Sequence, residues 1–95
     1  MRKINKRPKR ENLYHLTTTL FIGNKNQIEY YRDKDSERIY AKAKFDYMEE
    51  SKLYLYEEWF QISKADIKDE EAQTRTEKEI CFYFGWMSIE INRAF

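Results

Sequence analysis

The stretch from Ser36 to Ile62 restricts the fold more than any other. It reads as two long strands, Arg38–Tyr47 and Leu53–Ile62, joined by a loop from Met48 to Lys52. In the first, Ile39, Ala41, Ala43, Phe45 and Tyr47 alternate with Tyr40, Lys42, Lys44 and Asp46, the two-residue period of a half-buried strand. The second, Leu-Tyr-Leu-Tyr-Glu-Glu-Trp-Phe-Gln-Ile, is rich in aromatic and branched residues that suit a pleated surface. Leu53, Leu55 and Trp59 fall on one side of it, and Tyr54, Tyr56, Phe60 and Ile62 on the other. A strand apolar on both faces must be covered twice.

The flanking segments extend the pattern. Leu13–Ile22 reads as a strand with Tyr14, Leu16, Leu20 and Ile22 on one face and Thr17 and Thr19 on the other. Gly23-Asn24-Lys25-Asn26 has turn chemistry, Gln27–Arg32 is a short strand, and Asp33–Ser36 is a second polar turn. Ser63 with Asp66 marks a helix start, and Lys64–Glu79, with little apolar content beyond Ile67 and Ala72, predicts a mostly solvated helix. Glu79–Phe95 has two readings. As a helix, Ile80, Phe84, Met87, Ile91 and Phe95 form one apolar stripe. As a strand it has better propensity, and Gly85 inside a helix costs roughly 1 kcal/mol against Ala. The continuous stripe favours the helix. The expected fold is therefore α+β: an antiparallel meander of about four strands packed by one or two C-terminal helices, residues 13–95 making a single globular domain.

The formal net charge of +1 hides an asymmetry. Arg2, Lys3, Lys6, Arg7, Lys9 and Arg10 meet no acid within the first ten residues, whereas the remaining 85 carry 12 basic and 17 acidic side chains. Residues 1–12 hold the only proline and one aliphatic side chain. Little there repays ordering entropy, so a flexible basic arm on an acidic body is expected.

Chemistry is largely excluded. A single histidine, His15, and a single cysteine, Cys81, make neither a His/Cys metal cluster nor an internal disulfide, and the free thiol suits a reducing, cytoplasmic setting. A Cys–His pair would lack its orienting third group. Glu57 and Glu58, adjacent on a strand, point to opposite faces. Asp66 and Glu70, four apart on a polar helix, read as a solvated face. Asp46 with Glu50-Ser51-Lys52 resembles the carboxylate–lysine set of metal-dependent nucleases, but the spacing is loose and a tight turn explains it. Two glycines cannot build a phosphate-cradling loop. The expectation is a protein that is not an enzyme and uses no cofactor and no metal. With a mean hydropathy of -0.98 and no run near the ~20 apolar residues of a membrane span, no membrane partner is expected either. Leu13–Ile22 is too polar for a secretory leader.

What remains is surface. Tyr54, Tyr56, Trp59 and Phe60 lie beside Glu57 and Glu58, with Asp69 and Glu70 following. Such an acidic-aromatic face suits docking to a protein partner with a basic surface, or to a second copy of the chain. The composition, high in Lys, Ile, Asn, Glu and Tyr, resembles that of small accessory proteins from phages and mobile elements of AT-rich bacteria. That resemblance implies an inhibitor of a host nucleic-acid-processing or defence protein. The alternative is a nucleic-acid-binding protein that uses Arg2, Lys3, Lys6, Arg7, Lys9 and Arg10 with exposed sheet tyrosines.

Overall fold

The computed structural model describes residues 1–21, 26–83 and 93–94. The α+β expectation holds. An antiparallel sheet is built from β1 (Arg2–Ile4), β2 (Leu13–Phe21), β3 (Gln27–Asp33), β4 (Ile39–Glu49) and β5 (Lys52–Ile62). A helix, α1 (Glu70–Tyr83), follows, and β6 (Arg93–Ala94) adds two residues beside β2. The spatial order is β1-β5-β4-β3-β2-β6, so β2 to β5 form the expected meander.

The β4–β5 hairpin is longer than expected. Its pairing runs from Ile39 opposite Ile62 to Glu49 opposite Lys52. Only Glu50 and Ser51 turn the chain, with φ of 51° and 66°. Both left-handed conformations belong to a two-residue hairpin turn, although neither residue is the Asn or Gly such turns prefer. A long in-register ladder holds the chain in a turn its own residues do not favour.

Two faces result. On one, Ile28 and Tyr30 of β3, Ile39, Ala41 and Ala43 of β4, and Phe60 and Ile62 of β5 pack with Ile80 and Cys81 of α1. This helix begins at Asp69, whose carboxylate accepts the Ala72 N–H at 2.8 Å, a side-chain cap. Lys64–Ile67 forms only a short 3-10 turn, with Asp66 accepting the Ser63 N–H at 2.9 Å. The expected solvated helix is therefore shorter, and it is the sheet's cover: Ala72, Thr76, Glu77, Ile80 and Cys81 are buried along one side. Its hydropathy is low because it buries polar groups that find partners. Glu77 is fully buried and accepts from the Tyr30 hydroxyl at 2.9 Å and from Gln73 at 3.4 Å. Residues 84–92 and 95, on which the expected C-terminal helix depends, lie outside the described residues, as does the turn at Gly23-Asn24-Lys25.

Two expectations are corrected. Thr19 is fully buried while Tyr14, Leu16 and Leu20 are each more than two-fifths exposed, the reverse of the assigned faces. The β2–β3 register shifts between His15 and Thr17, and such a bulge resets the alternation for everything beyond it. The N-terminal residues, expected as a free arm, are held. Arg2, Lys3 and Ile4 pair with Gln61, Phe60 and Trp59, Arg10–Asn12 form a 3-10 turn, and the Lys34 N–H donates to the Asn12 carbonyl at 2.8 Å. The cause is mutual. The outer edge of β5 offers unpaired backbone groups, and the acids of β5 attract the cations of the arm.

A basic groove beside a charged, aromatic sheet face

Among the described residues, the second face of the sheet carries no helix. The N-terminal segment enters beside β5, where Ile4 faces Trp59, and reaches β2, where Leu13 faces Asp33. In crossing, it lies over the middle strands. Beneath it Trp59 is 8% exposed, Tyr40 7% and Lys42 6%. The Lys42 ammonium sits 3.5 Å from Glu29 and 3.4 Å from Glu57, with the Trp59 ring centroid at 5.6 Å. Trp59 donates its indole N–H to Glu57 at 3.3 Å, and Arg7 on the segment reaches the same carboxylate at 3.5 Å. Tyr31 donates its hydroxyl to Glu29, and its ring lies 5.6 Å from that of Trp59.

These contacts set the ionisation of the cluster. Burial works to raise the Glu29 carboxyl, but the Tyr31 hydroxyl and the Lys42 and Lys44 ammoniums outweigh it and hold the group below its usual value. Tyr31 is pushed up to about 12, first by burial and then by its bond to Glu29. Both stay in the form that keeps the network intact.

Arg2, Lys3, Lys6, Arg7, Lys9 and Arg38 line a groove of about 640 Å³ together with Tyr40 and Gln61, and no carboxylate is among its lining residues. Some of these cations are engaged: Arg2 donates to Gln61 at 2.8 Å and Lys3 lies 3.4 Å from Glu58. Lys6, Lys9 and Arg38 form no ion pair with another described residue. Beyond Arg7 and Pro8 lies a smaller pocket of about 180 Å³, reaching Tyr31, Lys42, Lys44 and Trp59.

The expected docking residues are dispersed. Phe60 is fully buried under α1, with the Tyr83 ring 5.4 Å away, and Trp59 is buried on the opposite face. As anchors for a partner they are thus corrected to core residues: α1 covers one side of β5 and the N-terminal segment the other. Glu57 and Glu58 point to opposite faces and are both ion-paired. Asp69 and Glu70 are exposed at the start of α1, away from the rest. The side chains of Tyr54 and Tyr56 lie outside the described residues. Of the sheet tyrosines of the alternative, Tyr30 is covered by α1 and Tyr40 by the N-terminal segment, while Tyr31 is partly buried. Sequence reasoning missed Lys42, Lys44, Glu29 and Arg38. Lys42 and Lys44 were legible as one polar face, and pairing Lys44 with Glu57 across the hairpin would have found the centre of the cluster.

No three His, Cys, Asp or Glu side chains among the described residues are placed to share a metal ion, and no helix among them is long and apolar enough to cross a membrane. No known protein family, curated protein or solved structure matches the chain.

Proposed function

We propose that this protein binds nucleic acid without catalysing a reaction, gripping the phosphate backbone in the groove formed by its N-terminal segment. One observation carries the reading: six cations line that groove and no carboxylate does. The acidic balance of the body does not oppose it, because the charges are segregated. Glu57 and Glu58 are neutralised by Arg7, Lys42 and Lys3, and Asp69, Glu70, Glu71 and Glu79 ride on and around α1, across the sheet.

Lys6, Lys9 and Arg38, which form no ion pair within 4 Å with another described residue, give the size of the effect. Displacing counterions from about three phosphates makes log K fall with log salt at a slope between about -2 and -3, so affinity drops roughly 20- to 40-fold from 50 to 200 mM salt. Fluorescence anisotropy with single-stranded and duplex DNA at those two concentrations checks this. Lys6→Glu with Lys9→Glu should remove most of the affinity, and absence of binding at 50 mM salt refutes the reading.

A second reading, docking to a basic protein partner as an inhibitor, keeps the exposed Asp69 and Glu70 and gains Phe82, which is 62% exposed near the end of the same helix. The docking surface then moves from β5 to the outer side of α1, and Glu70→Lys with Phe82→Ser would weaken it without lowering affinity for DNA.

A further inference from the structure

We infer that the smaller pocket between the N-terminal segment and the sheet is a binding site for a phosphate monoester, the chemistry shared by free phosphate and by the 5′-phosphorylated end of a nucleic acid strand. The terminal-phosphate form rests on the nucleic-acid reading above.

Size is the first argument. At about 180 Å³ the pocket falls below the ~300 Å³ at which sites for whole small molecules begin. It holds a group, and the rest of the ligand must lie outside. The pocket and the groove share Arg7 and Pro8 as a common wall, so a backbone lying in the groove has its end beside the pocket.

Charge is the second. Arg7, Arg10, Lys42 and Lys44 line the pocket. Against these four cations stand two carboxylates, Glu57 in the lining and Glu29 paired to both lysines. Among the described residues the surplus is two positive charges. A backbone phosphodiester carries one negative charge, whereas a monoester carries about -1.5 to -2 at neutral pH, so the surplus matches the monoester. Arg10 forms no ion pair with another described residue, and Lys44 is 41% exposed at the side chain with its ammonium 3.8 Å from Glu29. Both are placed to swing onto an incoming anion, and such charge-assisted bonds are about twice as strong as neutral ones. The buried Lys42, fixed from two sides, supplies field rather than a moving contact.

The third is the floor. Tyr31 and Trp59, 5.6 Å apart, line the pocket and shield the bound group from water on that side, which strengthens each ionic contact.

The test uses the full chain and two single-stranded oligonucleotides of one sequence, 5′-phosphorylated and 5′-hydroxyl, at 100 mM salt. The phosphorylated strand should bind about tenfold tighter. Lys44→Ala, partly exposed and outside the groove, should abolish that preference and leave affinity for the hydroxyl strand unchanged, whereas Arg10→Ala should abolish the preference and weaken both strands. Equal binding of the two strands to the wild type overturns the terminal-phosphate site while the backbone reading stands. If neither strand binds at 50 mM salt, the nucleic-acid reading falls and inorganic phosphate becomes the probe. A tryptophan emission change saturating at millimolar phosphate, absent in Lys44→Ala, upholds the pocket as a site for the free anion. No response at 10 mM overturns the pocket altogether.

Discussion

The two faces of this sheet are closed by opposite means. Under α1, closure is apolar: Phe60, Ile28, Ile80 and Tyr30 are fully excluded from water, with Glu77 satisfied among them. Under the N-terminal segment, closure is ionic: a lysine between two glutamates, an arginine clamped on one of them, and three aromatic rings set around the charges. A packed helix is an unpromising place for an anion to enter. A strap held by a three-residue strand and a few charge pairs can exchange those pairs for a ligand's phosphates. The contrast is the physical reason for proposing binding on the strap side: the ionic face is the one whose contacts a charged ligand can imitate.

The largest expected effect tests the apolar face. Phe60→Ala removes a fully buried ring and should cost about 4 kcal/mol, transfer and cavity contributions together. A loss below about 1.5 kcal/mol in urea unfolding would mean that α1 does not seal this side. The ionic face gives the next effect, with a different signature. Lys42→Met takes from Glu29 and Glu57 the buried cation they share, leaving Glu29 with Lys44 and Glu57 with Arg7, and breaking such a set from one side costs up to about 3 kcal/mol. Adding Glu29→Gln and Glu57→Gln should recover most of it, since an uncharged set has no stranded charge to bury. No second substitution of that kind can repair Phe60→Ala. If the triple variant is no more stable than Lys42→Met, the ions are not what closes this face.

How far all this was legible depended on which signals are local. The β4 and β5 strands announce themselves by alternation and aromatic content, and the acids of β5 with the cations of residues 2–10 announce an attraction. Register was harder. A loop from Met48 to Lys52 centres the hairpin on Glu50 and puts Lys42 opposite Glu58, whereas the two-residue turn at Glu50 and Ser51 puts it opposite Trp59. One residue of slip exchanges the faces, and without Asn-Gly nothing local marks the turn. The bulge near Leu16 is equally silent, so Thr19 reads as solvated and lies in the core. α1 hides its buried side in Thr76 and Glu77, residues a hydropathy scale assigns to water. The partner of Glu77, Tyr30, comes from a distant strand, and that of Thr76 is a backbone carbonyl, at Asp66, in the turn that precedes the helix. The basic groove follows from the same limit. Its cations were visible, but that they line a wall with Arg38 and Tyr40 required knowing that the arm folds back.

The smallest effect separates the faces by pH. The Cys81 thiol, 3% exposed on the buried side of α1, is pushed up from 9.0 to about 11, chiefly by burial and further by Glu77. Because the folded state holds this proton more tightly than the unfolded chain, its contribution is complete below about pH 9. It is lost as pH rises toward 11, and the loss is on the order of 2 kcal/mol. Tyr31, on the other face, shifts in the same direction but from 10.0 to about 12, so its window opens one unit later. Stability measured by urea unfolding from pH 8 to 11 should therefore decline first through the apolar face. Cys81→Ala should flatten the decline between pH 9 and 10, and Tyr31→Phe should leave that interval unchanged and act only above pH 10. If Tyr31→Phe flattens the earlier interval instead, the ionic face opens first in alkali, and the strap rather than the helix is the weaker closure of the sheet.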